Sequence, residues 1–388
     1  MIKGWCPSLF EPMAAGDGLL VRVKPRAGGV TAGQLRALAA AGAKFGSGRV
    51  EITNRANFQL RGFSEASARD FAGAMLDAGL ASADPAAERR RNILVRVSSD
   101  PAVADYARQI EDWLESDGEL EPLPAKFGFA VGDAPVTADI SIVLGENALM
   151  VVLPGGFAAV TDAPVKAAQA LTRLFLRRVE NASMRMRGLL AAMGAETILA
   201  EAGLRMFAYK GGAPDVSVGL MAENFGLGLA FGVQDAAMLR HAADLAERFG
   251  NGQLRTTSAR SLVLMGTGEN GRDVMAAAGE LGFMTDPRDP RLRIAACAGR
   301  PACPDARIDA RAVAAGFAAH WTGAGMLHVS GCGKGCAHPD AAEVTLVAVG
   351  EDDRYDFVLN GHAGDIPHYA GIGLNDAIQL MTERSLYK

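Results

Sequence analysis

The chain has 388 residues, 49% of them apolar, with 39 Lys and Arg against 44 Asp and Glu for a net charge of −5. This composition excludes a disordered chain, which could not bury enough apolar surface to offset its ordering entropy, and it lacks the basic stripe that nucleic-acid binders set against phosphate. No uncharged apolar run of about 18 residues occurs, so no nucleic acid and no membrane is an expected partner, and any anion site must be a local cluster of Arg and Lys.

In chain order, the first stretch, MIKGWCPSLFEPMAAGDG, lacks the long apolar core of a signal peptide. In LLVRVKPRAGG, Arg22, Lys24 and Arg26 alternate, which on an extended strand places them on one face. An Ala/Leu-rich amphipathic helix then runs into the turn FGSG, and VEITNRANFQLRG after it reads as a strand. Along that strand Thr53, Arg55, Asn57 and Gln59 share one face, with Ile52, Phe58 and Leu60 on the other. Such a polar row suits a polar ligand, or simply a solvated face. A second helix, ARDFAGAMLDAGL, closes the unit.

The same order returns about 204 residues later: a helix, the turn FGNG, the β-rich LRTTSARSLVLMG, then GRDVMAAAGELGF. Each copy reads strand–helix–strand–helix, a compact half-module, and the period is too long for a solenoid. Two further segments each open with a strand (RRNILVRV, RLRIAACAG) and hold a later β-rich run (ADISIVLGENALMVVL, AEVTLVAVG). The expected layout is an α+β chain of four pieces, at 1–85, 86–215, 216–287 and 288–388, paired as two pseudo-symmetric halves.

Within the second copy, Gly266-Thr267-Gly268-Glu269-Asn270-Gly271 matches the dinucleotide-binding glycine pattern. The internal repeat argues against that function. The first copy has Gly62-Phe63-Ser64-Glu65-Ala66-Ser67 there, so the turn forms without a phosphate cradle.

Of five cysteines, Cys6 stands alone and is expected to have no role. Cys297 and Cys303 have five residues between them and Cys332 and Cys336 three. Four thiolates on Gly/Ala/Pro-rich turns suit a 4Fe-4S cluster, whose four irons each need a soft ligand. Structural zinc favours two-residue spacing, and disulfides do not suit the reducing cytoplasm in which this pattern belongs. There are six histidines. His338-Pro339-Asp340 follows Cys336 with the H-x-D spacing of an oxygen-activating iron site, which His362 or His368 could complete. The alternative is a loop histidine near the cluster. His241 reads as a surface residue, and His320 and His328 flank Trp321 as core or ligand.

The C-x5-C…C-x3-C arrangement, in a chain with a duplicated arm, resembles the sulfite/nitrite reductase superfamily along nearly its whole length. TNRANFQLRG (53–62) is similar to that superfamily's tetrapyrrole-binding strand, RRNILV (90–95) to the opening of its first central segment, and LPAKFGFAV (123–131) to its loop with an active-site lysine. Within the superfamily, GWCPSLFEPMAAGDGLLVRV, TNRANFQLRG and SGCGKGCAHP resemble the precorrin-3B synthase family. The resemblance implies duplicated ferredoxin-like arms plus two pseudo-symmetric α/β segments that bind cluster and tetrapyrrole. It implies hydroxylation of precorrin-3A at its C-20 meso carbon with closure of a ring A γ-lactone, using O2 and electrons from an NADH-linked reductase or a ferredoxin-type donor. A 4Fe-4S cluster on the four cysteines and a mononuclear non-haem iron are its implied cofactors. Arg91 and Lys126 join Arg22, Lys24, Thr53, Arg55, Asn57 and Gln59 as implied substrate-binding residues.

Two departures separate this chain from sirohaem reductases. Glu51 stands where they place a basic residue, and Gly128 replaces the second lysine of their KFK loop. A sirohaem-dependent sulfite or nitrite reductase is the alternative reading, and a non-catalytic tetrapyrrole carrier a second.

Overall fold

The computed structural model describes residues 7–179, 184–209, 217–350 and 353–382; Cys6 lies outside them. The elements of the two repeats recur at the 204-residue offset. Helix Ala32–Phe45 answers Ala236–Phe249, and strand Arg49–Ile52 answers Gln253–Thr256. The offset extends to rare backbone: Ala27 and Phe231 have φ of 42° and 56°, and Ala56 and Arg260 have 56° and 62°. Non-glycine residues seldom adopt such angles, so the duplication reaches the level of single dihedrals.

The arms have more strands than the strand–helix–strand–helix reading allows. Each opens with a hairpin, Met13–Ala15 with Gly18–Val23 and Gly219–Met221 with Asn224–Leu227. The short strand before each long helix then crosses over. Val233–Asp235 pairs with Arg49–Ile52 of the first arm, and Gly29–Thr31 pairs with Gln253–Thr256 of the second. Thr31 and Asp235, at the ends of these crossing strands, cap the helices that follow by accepting from Gln34 N and Met238 N. The exchange places the two long helices against each other. Val50, Leu38, Phe71, Leu239, Leu254 and Val274 belong to one core drawn from both arms.

The sequence's single strand over 50–62 is in fact a hairpin. Arg49–Ile52 pairs antiparallel with Phe58–Phe63. Thr53 Oγ1 accepts from Arg55 N and Asn57 N in the turn between them, and the left-handed Ala56 reverses the chain. Period-2 alternation therefore stops at Thr53, and the four polar residues do not form one strand face. The same correction applies to 253–264, where Thr257 and Ser261 close the turn.

The two central segments have separate cores and matching mixed sheets. In the first, Ile93–Val95, Phe129–Gly132 and Ile140–Leu144 run parallel before turning antiparallel through Leu149–Leu153 and Phe157–Val160. In the second, Ile294–Ala296, Leu327–Ser330 and Ala342–Val349 are parallel, followed by antiparallel Arg354–Gly361 and Tyr369–Ile372. The glycine-pattern turn at 266–271 follows a strand paired antiparallel on both sides, so no βαβ unit surrounds it.

Candidate active site

The four cysteines gather at the ends of the second central sheet. Cys297 directly follows strand Ile294–Ala296, and Cys332 lies just beyond strand Leu327–Ser330. All four are free thiols. Gly331 N donates to Cys297 Sγ at 3.2 Å, the kind of N–H···S bond that tunes a cluster sulfur. A Cβ at Gly331 would stand 2.8 Å from Ala306 Cβ and 3.3 Å from that sulfur. At Gly299, φ is +67° and a Cβ would meet Ala310 N at 2.4 Å. Glycine is therefore required where these loops pass close to the thiols. Desolvation pushes the Cys336 thiol up, and its three fellow cysteines push it further, so the four sulfurs share one electrostatic neighbourhood. Among the described residues no three His, Cys, Asp or Glu converge tightly enough for a single ion. A cubane asks for a wider set, one sulfur per iron, and the four free thiols in glycine-lined loops fit it.

In the first half, a cavity of ≈ 640 Å³ lies between the Thr53–Asn57 turn and the first central sheet. Asn54, Arg55, Asn92, Arg185, Arg187 and Tyr209 are among its lining residues. Asp139, 1% exposed, holds its wall together. Its carboxylate accepts from Gly128 N at 2.8 Å, from Met186 N at 2.9 Å and from the Arg185 guanidinium. A neighbouring cleft is lined by Arg22, Lys24, Arg55, Asn57 and Asn92. A volume of several hundred Å³ with a few convergent polar groups is typical of a small-molecule site.

The structure divides the substrate-binding residues read from the sequence. Arg55 lines both spaces, and Arg22, Lys24 and Asn57 line the smaller. Arg22, Lys24 and Arg26 do not share a strand face, because the strand ends at Val23. Lys24 Nζ is tied to the carbonyls of Glu88 and Arg89, and Arg26 pairs with Glu115. Thr53 braces the turn. Gln59 bridges strands, accepting from Arg22 Nε at 2.9 Å and donating to Glu51 at 3.0 Å. Arg91 is 1% exposed and bonds Glu88, Glu111 and the carbonyls of Lys24 and Leu80. Burial opposes its charge, but the two carboxylates outweigh it and raise its pKa. Arg91 thus joins the first arm to the first central segment rather than facing a ligand. Lys126 is half-buried and lines neither space.

Both departures from the reductase pattern have structural counterparts. Glu51 pairs with Arg311 of the second central segment and lies 4.0 Å from Arg61. A Cβ at Gly128 would meet Asn92 Nδ2 at 2.8 Å, so a second lysine would have to displace the Asn92 amide.

The H-x-D triad is not assembled. Asp340 is exposed, His362 pairs with Asp365 at 3.1 Å, and His368 Nδ1 accepts from Leu359 N. His338 instead sits edge-on to His328, with centroids 5.9 Å apart. Sequence reasoning left His328 undecided and passed over Arg260, Asp139 and Arg185. Aligning strand Leu327–Ser330 with Phe129–Gly132 would have exposed His328 as a histidine in an otherwise apolar, duplicated position.

A family model, the nitrite/sulfite reductase ferredoxin-like half domain, matches residues 11–78 and again 216–280, the two arms. A precorrin-3B synthase from Sinorhizobium sp. is 31% identical over 396 aligned positions, covering 95% of this chain and 85% of its own length. A ferredoxin–nitrite reductase from Leptolyngbya laminosa is 30% identical over 177 positions, covering 39% of this chain and 34% of its own. The solved structure of Mycobacterium tuberculosis NirA protein aligns with a TM-score of 0.70 at 18% identity, over 92% of this chain and 76% of that one, and shows the fold.

Proposed function

Because the chain belongs to the precorrin-3B synthase family, we propose that it is a monooxygenase of cobalamin biosynthesis that converts precorrin-3A to precorrin-3B. The observation that carries this reading is the 31% identity along 95% of the chain, which takes in both arms and both central segments. In the reaction one atom of O2 ends on the C-20 carbon and the other leaves as water, with two electrons and two protons drawn from the donor. The ring A acetate closes the γ-lactone.

Cys297, Cys303, Cys332 and Cys336 hold a 4Fe-4S cluster in this proposal, and a reducing cytoplasm suits their free thiols. When bound, the cluster supplies single electrons to the site. A mononuclear iron on two histidines and a carboxylate does not fit the described residues. The substrate presents many acetate and propionate groups, and the ≈ 640 Å³ cavity offers Arg55, Arg185 and Arg187 to receive them. Planar guanidinium forks match carboxylates in paired hydrogen bonds. Asp139 keeps Arg185 and the Gly128 loop in place around the ligand.

The test uses anaerobically purified, iron- and sulfide-reconstituted protein given precorrin-3A, a reductant and O2. Gain of one oxygen atom in the tetrapyrrole is expected. Unchanged precorrin-3A overturns the proposal. Sirohaem absorption with sulfite or nitrite reduction would instead identify a reductase, and tight binding without turnover a carrier.

A further inference from the structure

His328 is fully buried, at 0% exposed, and neither ring nitrogen has a hydrogen-bond partner among the described residues. Leaving such a group unpaired is costly. It lies beneath the cysteine loop: a Cβ at Gly335 would stand 3.6 Å from its Cε1. Around it are the His338 ring and Arg260 of the second arm's turn, both of which hold its charge down. Arg260 donates to the Ala337 carbonyl at 3.1 Å, which seats its guanidinium over the same loop. Beside Arg260 stands Arg311, whose buried Nε also has no acceptor.

A neutral imidazole has one N–H to give, and in this cationic surrounding the partner that suits it is an anion. The anion already present, Glu51, is taken by Arg311. A metal ion placed here would face Arg260 and Arg311, a Coulombic penalty. The Arg260 turn is the repeat counterpart of the turn that carries Arg55, and the two are adjacent, since Thr256 Oγ1 donates to the Ala56 carbonyl at 2.6 Å. The Arg260 turn thus adjoins the turn from which Arg55 lines the cavity.

We propose that His328, His338 and Arg260 form a carboxylate-binding subsite that takes one peripheral acetate or propionate of a tetrapyrrole on the cysteine side of the junction. The subsite rests on the tetrapyrrole reading above and adds residues from the second half to it. At neutral pH the His328 ring is uncharged, because burial pushes its pKa down to about 4, so it serves as a neutral N–H donor while Arg260 supplies the charge.

The test titrates uroporphyrin, a stable octacarboxylic tetrapyrrole, into the cluster-containing protein, followed by fluorescence quenching. Arg260→Ala and His328→Leu should each weaken binding about tenfold or more, the usual loss for a charge-assisted hydrogen bond. Asp133→Ala, on the first sheet, should leave it unchanged. Circular dichroism and the cluster's optical spectrum verify folding, and Arg260→Lys should recover part of the affinity. Wild-type binding that both variants retain overturns the subsite and leaves the functional reading standing. Failure of wild-type protein to bind the porphyrin sinks both. One further iron, retained by wild type and lost in His328→Leu and His338→Ala, would make the site a cation seat and overturn the proposal.

Discussion

The two central sheets share a topology but differ at the strand ends. Arg96 follows the first strand of one sheet and Cys297 the first strand of the other. Each donates its N–H to the equivalent neighbouring carbonyl, that of Val131 at 2.9 Å or Val329 at 3.3 Å. In the first sheet Arg96 pairs with Asp133 at 2.7 Å. In the second, the register carried on past Ala296 puts Ser330 opposite Cys297, and the next residue, Gly331, which answers to Asp133, donates its N–H to the cysteine sulfur. Ala130 and His328 differ in the same way one strand over. The first sheet has closed its strand ends with an ion pair and opened a cavity on the side facing the arm. The second has opened its strand ends to four thiols and filled the corresponding interior with an imidazole. A duplicated scaffold can thus carry a cavity on one sheet and a cluster of four thiols on the other without changing its strand order.

The contrast is open to direct tests. The largest effect is expected from Cys332→Ser, which should abolish cluster absorbance and turnover, whereas Arg96→Ser at the matched strand end should leave both intact. Loss of the cluster on changing Arg96 would show that the sheets are not independent. Next comes Arg91→Met, which leaves Glu88 and Glu111 buried without their cation. A loss of about 3–5 kcal/mol in urea unfolding is expected. A stable variant with only weakened substrate binding would return Arg91 to the ligand.

His328 gives the second sheet a pH dependence that Ala130 cannot give the first. Its folded pKa of about 4 lies below the ordinary 6.5. The unfolded chain therefore takes up the proton first, and stability present above pH 6.5 falls as pH drops toward 4, by on the order of 3 kcal/mol. His328→Leu should flatten that decline in thermal melts between those values. An equal acid slope in the variant would assign the loss to other groups. The smallest change is expected for Asp133→Ala. Its carboxylate is 55% exposed, so breaking the pair should cost ~0–1 kcal/mol.

Much of this molecule is written locally. The 204-residue repeat, the paired helices and the cysteine spacing follow from periodicity and composition, which short-range sterics enforce on any chain. The Thr53–Asn57 turn was not legible, because its polar residues happen to keep a strand's alternation while Ala56 breaks the backbone. Arg91 and Lys24 look from the sequence like ligand cations. Only the fold shows them spent on Glu88, Glu111 and backbone carbonyls.

By itself, then, the sequence determined the duplication, the α+β class and the four thiols in one half. The tertiary structure alone decided that the arms exchange strands into one core, that Arg55 rather than Arg91 faces the cavity, and that His328 meets Arg260 beneath the cysteine loop. The physical reason is separation along the chain. Arg260 and His328, or Arg255 and the Ala27 carbonyl it reaches at 2.9 Å, meet only after the strands have crossed, and no local pattern encodes a contact whose partners are brought together by packing elsewhere.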